Sequence, residues 1–263
     1  MTDSDDTAPA QFYTGVVAEL YRHLRASTFD PAPYAKLIRR YGEPALELGC
    51  GDGDPLLDLV SEGLLVEGLD SSEDMLARCR SFAAQRGLDV TLHHSTMEAM
   101  NLGRQFRTIY LAGPTFNLLP TDAIALEALS RIRSHLVPGG VALVPLTVPS
   151  PTPATYFGRP RVHRSDDVTE MRFSVLSERR DPEMRIQANM LRYEYLVHDN
   201  VTECVDREWV LHWYSPAQFS ELVSAAGLEP VWVRTPDRSP LTESSTAFTF
   251  LLTPRVGHGI VPE

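Results

Sequence analysis

The stretch ALELGCGDGDP, residues 45–55, decides the fold prediction. Its three glycines, Gly49, Gly51 and Gly53, alternate with other residues directly after a short apolar run. Glycine reaches backbone angles that are closed to other residues, and it lets a ligand lie close to the main chain. The pattern therefore indicates either a tight strand-to-helix turn or a loop that holds a ligand.

The neighbouring residues favour a ligand without a pyrophosphate group. The dinucleotide fingerprint G-x-G-x-x-G would have its third glycine where this chain has Asp54. We expect the Asp54 carboxylate to cap a helix that begins at Pro55, where it would oppose anion binding. S-adenosylmethionine lacks phosphate and suits such a site, and Glu47 is expected to orient the loop or the ligand. Asp70 ends the next strand, where an acidic residue can accept hydrogen bonds from both ribose hydroxyls.

Composition excludes several classes of partner. The chain has 263 residues, 43% of them hydrophobic, which suffices for one large core with a modest inserted subdomain. Its formal net charge of -11 has the wrong sign for tracking a nucleic acid backbone. No apolar run is long enough to cross a bilayer, and three unclustered cysteines indicate neither disulfides nor a metal site. We expect a cytoplasmic protein without nucleic acid, membrane or metal partners.

The order of apolar runs predicts the architecture. Seven short strand-like runs, most of them separated by helical patterns, are typical of a doubly wound parallel α/β sheet. After Pro149 apolar residues recur with period 2, which predicts an inserted antiparallel sheet. We expect this sheet to form a lid over the acceptor with the leading helices, or to form a dimer interface. The predicted divisions are a disordered leader at 1–10, lid helices at 11–43, a cofactor-binding core at 44–150, the insertion at 151–210 and the rest of the core at 211–263.

Four segments carry a family resemblance. ELGCGDGD, GLDSSEDML, FRTIYLAGPTFNLL and HLVPGGVALVPL resemble the successive motifs of class I S-adenosylmethionine-dependent methyltransferases, over about Pro44 to Pro149. These enzymes have a Rossmann-like, seven-stranded sheet. The insertion after the fifth strand is similar to that of small-molecule methyltransferases such as the nucleotide-sugar N,N-dimethyltransferases.

The resemblance implies S-adenosylmethionine as cofactor and a set of cofactor-binding residues. These are Tyr13, Tyr21, Glu47, Gly49, Gly51, Gly53, Asp70, Ser71, Met75, Thr96, Met97, Leu111 and Ala112. One departure stands out: relatives commonly have an acidic residue after the third strand for the adenine amino group, where this chain reads HHSTME, residues 93–98. Thr96 or Ser95 is expected to substitute.

The acceptor side is less defined. Methyl transfer depends largely on alignment, and a base is optional when the acceptor is an amine. His212 and Tyr214 are the candidate catalytic residues, and Asn117 and Arg161 are candidates for binding the acceptor. We expect the acceptor to be a small molecule, such as a sugar or a secondary metabolite, and leave open methylation at N or O and a monomeric or homodimeric state.

Two alternatives from other classes remain. An NAD(P)-dependent oxidoreductase is disfavoured by Asp54, which breaks the dinucleotide fingerprint. A non-catalytic S-adenosylmethionine-binding module would be expected to lose its glycines or Asp70, and both are present.

Overall fold

The protein is described by a computed structural model for residues 12–24, 28–165 and 168–255. The predicted leader, 1–10, lies outside the described residues. The helices are α1 (Val16–Leu24), α2 (Ala32–Tyr41), α3 (Leu56–Ser61), α4 (Glu73–Gln85), α5 (Asp122–Ser134) and α6 (Pro216–Ala225). The strands are β1 (Ala45–Leu48), β2 (Val66–Asp70), β3 (Leu92–His94), β4 (Phe106–Tyr110), β5 (Leu136–Thr147), β6 (Arg161–Arg164), β7 (Thr169–Asp181), β8 (Ile186–Val197), β9 (Asn200–His212), β10 (Leu228–Arg234) and β11 (Ala247–Pro254).

Seven strands form the main sheet, in the order β10-β11-β5-β4-β1-β2-β3. Strands β1 to β5 are parallel, whereas β11 runs antiparallel to β5 and β10 antiparallel to β11. The strand order reverses between β1 and β4. Ligands of doubly wound sheets bind at such a reversal, outside the carboxyl ends of the strands. The glycine loop follows β1 and so lies at this point.

Both faces of the main sheet are covered. All residues of β1 and β2 are buried, as expected for parallel strands between two helical layers. Because neighbouring residues of a strand point to opposite faces, Leu46 and Leu48 pack in the core under α5 and α6, while Ala45 packs under α2, α3 and α4. None of the helices formed by the described residues is long and apolar enough to span a membrane.

The insertion is a second sheet of four antiparallel strands in the order β6-β7-β8-β9. Its last strand continues to His212, two residues beyond the predicted boundary. Helix α1 packs on this sheet through Val17 and Leu20, which contact a cluster that includes Leu191 and Tyr193. Helix α2 instead packs on the main sheet. The range 11–43 thus contains helices with two different partners.

The prediction that Asp54 caps a helix is wrong. Helix α3 begins at Leu56 after Pro55, and no side chain caps it. The Asp54 carboxylate instead accepts a hydrogen bond from the backbone N–H of Phe29 at 3.2 Å. The Asp54 carboxylate therefore binds the segment before α2, and not the start of α3 as its place in the sequence had suggested.

Gly68, in the centre of β2, lies where two layers meet without space for a side chain. A methyl group there would lie 2.6 Å from Leu56 Cδ2 and 2.7 Å from Cys50 Sγ. Gly68→Ala is therefore expected to lower the free energy of unfolding by about 1–3 kcal/mol, as overpacking does, measured by urea denaturation. In a double-mutant cycle with Leu56→Ala the losses should be less than additive. Strict additivity would contradict crowding against Leu56.

Candidate functional site

A cleft opens at the carboxyl ends of β1, β2 and β4, between the main sheet and the insertion. It has three adjoining chambers, and Tyr13 and Tyr21 line all of them. The inner chamber lies beside Asp70, and the middle chamber lies beside Asp52 and Asp54. The outer chamber lies between α1 and strands β7 to β9.

The structure brings most of the predicted cofactor-binding residues together. The inner chamber is lined by Tyr13, Tyr21, Gly49, Gly51, Asp70, Ser71, Met75, Thr96 and Met97. Ala112 lines the middle chamber. Glu47, Gly53 and Leu111 line none of the three chambers. Gly53 instead faces α3 and α4: a methyl group there would lie 2.7 Å from Leu57 Cγ and 2.8 Å from Cys79 Sγ.

The glycine loop has the backbone that its sequence predicts. Gly49 and Gly51 have φ values of 71° and 52°, in the left-handed region that favours glycine. A methyl group on Gly49 would lie 2.7 Å from Thr115 Cγ2, and one on Gly51 would lie 3.2 Å from Met75 Cε. Side chains at these two positions would therefore press against Thr115 and Met75, which line the inner chamber.

Asp70 joins this loop to the end of β2. Its Oδ2 accepts the Gly51 N–H at 2.8 Å, and its Oδ1 accepts the Ser72 N–H at 2.9 Å. Burial raises the pKa of Asp70 above its ordinary value, while the N–H groups of Ser72 and Gly51 oppose that rise. An ionised carboxylate has about four acceptor sites. Asp70 therefore keeps capacity to bind hydroxyl groups of a ligand in the inner chamber.

Glu47 lies beneath the loop and is fully buried. Its Oε2 accepts a hydrogen bond from Tyr110 Oη at 2.7 Å, while Oε1 has no partner among the described residues. Desolvation raises the pKa of Glu47 to about 8, and the charges of Asp54 and Asp70 add to the rise. Glu47 lines none of the three chambers, so this position does not provide the direct ligand contact that was expected from the sequence.

The elevated pKa of Glu47 predicts how stability depends on pH. The folded protein binds this proton more tightly than the unfolded chain, whose carboxyl has the ordinary pKa of 4.5. Stability from this group is therefore full below pH 4.5 and is lost as the pH rises toward about 8. In Glu47→Gln the loss over this window should be smaller, measured by urea denaturation at both limits. The exposed Glu229→Gln is the control, and equal pH dependence in both variants would contradict the assignment.

Three acceptor-side candidates do not reach the cleft. His212 is 3% exposed and its Nδ1 lies 3.0 Å from Tyr214 Oη, while Tyr214 is fully buried beside Phe219. Burial lowers the pKa of His212. Asn117 uses its amide to bind Thr147 and the carbonyl of His212, at 2.7 to 3.1 Å. It therefore ties β5 to the end of β9.

Strand alternation explains why His212 is turned away. Trp209 and Leu211 line the middle and outer chambers, so His212, on the opposite face of β9, faces the core. Arg161 lies at the rim of the outer chamber, as predicted for an acceptor-binding residue. Its role stays a prediction.

The comparison with known families agrees with this geometry. Residues 45–140, which contain β1 to β4 and the glycine loop, match the family model described as a methyltransferase domain. This segment is similar to methyltransferase domains. The recognition of a methyltransferase from its motifs is thereby confirmed.

Two curated relatives match this chain over about half of its length or less. The chain is 35% identical over 153 residues to dTDP-3-amino-3,6-dideoxy-alpha-D-glucopyranose N,N-dimethyltransferase of Streptomyces fradiae, covering 55% of this chain and 58% of that one. It is 34% identical over 99 residues to dTDP-3-amino-3,4,6-trideoxy-alpha-D-glucopyranose N,N-dimethyltransferase of Streptomyces venezuelae, covering 38% and 40%. The chain thus spans about half the length of these relatives. Neither alternative class gains support from them.

Solved structures match over nearly the whole chain. The CcbJ methyltransferase from Streptomyces caelestis superposes with a TM-score of 0.73 at 20% identity, over 97% of this chain and 100% of that one. The sugar N-methyltransferase KedS8 from Streptoalloteichus sp ATCC 53650 gives 0.68 at 20% identity, over 92% and 94%. The predicted Rossmann-like fold with an antiparallel insertion is confirmed.

Opposite the main sheet, the insertion gives the outer chamber two unlike walls. One is aromatic, with Phe173, Tyr193 and Trp209. The other is polar, and its central residues are Gln187 and Asn189, both 4% exposed. The chamber can therefore hold a molecule with an apolar and a hydroxylated side.

Sequence reasoning missed this polar wall and the acids of the cleft. Gln187 and Asn189 are polar residues in the period-2 pattern of β8, which alone favours a solvated face. Asp52 and Glu98 line the middle and inner chambers, respectively. The proximity of Asp52 to the glycines was a signal that could have identified it.

Proposed function

We propose that the protein transfers methyl groups from S-adenosylmethionine to an amino group of a small hydroxylated acceptor. The observation that carries the proposal is the inner chamber, in which the Asp70 carboxylate accepts a hydrogen bond from the Gly51 N–H. This chamber adjoins two further chambers at Tyr13 and Tyr21. This arrangement gives separate places for a nucleoside, a reacting centre and an acceptor.

The inner chamber fits the nucleoside part of the cofactor. Asp70 has acceptor capacity for the two ribose hydroxyls, and Met75 and Met97 provide apolar surface for a base. Gly49 and Gly51 leave room for a chain that passes along the main chain toward the middle chamber. When bound, S-adenosylmethionine supplies an electrophilic methyl group on a sulfonium.

The middle chamber favours cations. Asp52 and Asp54 both line it, and Asp52 also forms an ion pair with Arg22 at 2.8 Å. The two carboxylates outnumber the one guanidinium, so the net negative charge beside this largely apolar space attracts a sulfonium and a protonated amine and disfavours anions. This supports an amine rather than a carboxylate or phosphate as the group that approaches the methyl donor.

The residues around the reacting centre also support an amine over a hydroxyl. No histidine is among the described residues that line the three chambers. Burial raises the pKa of Tyr13 well above its ordinary value, so its phenol stays protonated and is no base at neutral pH. A hydroxyl acceptor would gain from a general base, whereas an amine attacks through its own lone pair once deprotonated.

Tyr13 and Tyr21 are placed to align the two partners. Their rings meet edge to face, with centroids 5.5 Å apart at 89°. The pair stands where the three chambers adjoin. Rigid aromatic walls at this point would restrict the acceptor to in-line approach, and such orientation can supply roughly 7–11 kcal/mol of the barrier reduction.

The polar wall of the outer chamber is held between a cation and an anion. Arg180 donates to Gln187 Oε1, and Gln187 Nε2 donates to Asn189 Oδ1 at 3.1 Å. Asn189 Nδ2 donates to Thr152 Oγ1 at 3.2 Å and to Glu178 Oε2 at 3.4 Å. One N–H of Gln187 and one acceptor site of Asn189 remain, which suit neighbouring hydroxyl groups of a sugar ring.

Removing this wall should impair acceptor binding alone. The double variant Gln187→Ala/Asn189→Ala is expected to raise the KM for the amine about tenfold, because two neutral hydrogen bonds are lost. Its affinity for S-adenosylhomocysteine, measured by calorimetry, should stay within a few-fold. Asn200→Ala, at the first residue of β9 and outside the cleft, is the control. An unchanged KM in a folded double variant would contradict this role.

The function is tested by mass spectrometry with two probes of the same amino sugar. One is dTDP-3-amino-3,6-dideoxyglucose, chosen because a relative's name specifies it, and the other is the neutral methyl glycoside. Incubation with S-adenosylmethionine should add one or two methyl groups to the nitrogen of at least one probe. Failure with both, while a hydroxyl analogue without the amine is methylated, would contradict the amine assignment. A cytoplasmic location and a monomeric or homodimeric state remain predictions from the sequence.

A further inference from the structure

The turn that precedes α1 connects the two sides of the cleft. Phe12 is buried in the cluster on the insertion, where its ring meets that of Tyr193 edge to face, with centroids 6.2 Å apart. The next residue, Tyr13, lines all three chambers. Two consecutive residues of this turn therefore contact the acceptor side and the junction with the cofactor side.

Two side chains at the start of α4 hold this turn. Ser72 Oγ donates a hydrogen bond to the Tyr13 carbonyl at 2.5 Å, and Asp74 Oδ2 accepts one from the Gly15 N–H at 2.7 Å. Each contact joins residues that are 59 positions apart in the sequence. Because the bonds lie at either end of residues 13–15, they fix the backbone that carries the Tyr13 ring. The two contacts form a clasp between this turn and α4.

The clasp is connected to the ribose end of the inner chamber. Ser72 is 1% exposed, and its backbone N–H donates to Asp70 Oδ1 at 2.9 Å. Its hydroxyl oxygen also accepts the Met75 N–H at 3.2 Å and so caps α4. A hydroxyl has one hydrogen to donate, and here that hydrogen is committed to the Tyr13 carbonyl. A displacement of Asp70 on binding a ligand would therefore reach Tyr13 through Ser72.

We propose that Ser72 and Asp74 are positioning residues, which fix Tyr13 at the junction of the chambers and make acceptor binding depend on bound cofactor. The inference rests on the proposed function, because it assigns the groups that hold one wall of the same cleft. A nucleoside bound at Asp70 stabilises the corner between β2 and α4, and the clasp transmits this order to Tyr13 and Phe12. Such coupling is reciprocal, so a bound acceptor also tightens cofactor binding.

The first test compares Asp74→Ala with Glu73→Ala. Both variants remove an exposed acid from the first turn of α4 and lose a similar interaction with the helix dipole, but only Asp74 holds Gly15. With whichever amino sugar probe is methylated, Asp74→Ala should lower kcat/KM about tenfold. Its affinity for S-adenosylhomocysteine, measured by calorimetry without acceptor, should stay within about threefold. Asp74→Asn keeps a side-chain oxygen for Gly15 and should recover most of the loss, while Glu73→Ala should keep wild-type values.

A second measurement tests the dependence on cofactor. The same amino sugar is titrated calorimetrically into the protein alone and into the protein saturated with S-adenosylhomocysteine. The wild type should bind the amino sugar at least about fivefold more tightly in the saturated protein. In Asp74→Ala the two affinities should approach each other, because the connection from α4 to the turn is broken.

The outcomes separate the inference from the proposed function. If Asp74→Ala methylates the amino sugar with wild-type kcat/KM, the clasp does not position Tyr13. Equal losses in Asp74→Ala and Glu73→Ala would assign the effect to α4 alone and would also overturn the proposal. Equal affinities of the wild type for the amino sugar with and without S-adenosylhomocysteine would refute the coupling. A wild type that methylates no amine contradicts the proposed function itself, and the inference falls with it.

Discussion

Replacing Asp70 with alanine is expected to weaken S-adenosylhomocysteine binding by about 10- to 100-fold. The ribose hydroxyls would lose their charged acceptor, and hydrogen bonds to charged groups contribute about 1.5–3 kcal/mol. The substitution also frees the N–H groups of Gly51 and Ser72, so the glycine loop would lose its anchor to β2. Both effects act in the same direction on calorimetric affinity.

Two controls separate these effects. Asp58→Ala removes a surface carboxylate that pairs with Arg86 at the end of α4, outside the cleft, and should leave affinity unchanged. Asp70→Asn keeps one side-chain oxygen for the Gly51 N–H and should show an intermediate loss. If Asp70→Ala folds normally and binds S-adenosylhomocysteine as the wild type does, Asp70 serves only to shape the loop.

The substitution Trp209→Ala should reduce methyl transfer about 100-fold. Trp209 lines both the middle and the outer chamber, so its ring separates the place of the reacting centre from the acceptor. Displacing an acceptor by about 1 Å can cost this much in rate, because the approach to the methyl group must be in line. Trp209 does not line the inner chamber, so S-adenosylhomocysteine affinity should stay within a few-fold.

The measurement is steady-state turnover with whichever amino sugar probe is methylated. Trp232→Ala is the matched control: Trp232 is on β10 under Arg234, away from all three chambers, and should leave turnover unchanged. Trp209→Phe keeps an aromatic wall and should recover most of the rate. Wild-type turnover in Trp209→Ala would show that the insertion does not position the acceptor.

The cofactor half of the site was predictable because its signals are local. Gly49, Gly51 and Asp70 each follow directly from a strand end, and the order of strands and helices fixes that all strand ends meet at one edge. The five parallel strands were predictable for the same reason, since buried parallel strands read as short continuous apolar runs.

The acceptor half depends on contacts between distant segments. Alternation along β9 does place Trp209 and His212 on opposite faces, but which face meets the cleft is decided by the packing of α1 on the insertion. Asp54 likewise had a plausible local partner and found a distant one in Phe29. The sequence pattern indicates surface positions for Gln187 and Asn189, whereas in the fold Gln187 accepts a hydrogen bond from Arg180 and Asn189 donates one to Glu178.

The central claim is that the chambered cleft binds S-adenosylmethionine and its product. Calorimetry of the 263-residue chain with S-adenosylhomocysteine, and separately with NADH, tests it most directly. We expect one molecule of S-adenosylhomocysteine to bind per chain and no heat from NADH, because Asp54 and Asp52 line the chamber that a pyrophosphate would have to enter. Binding of NADH, or no heat from S-adenosylhomocysteine at millimolar concentration, would contradict the account.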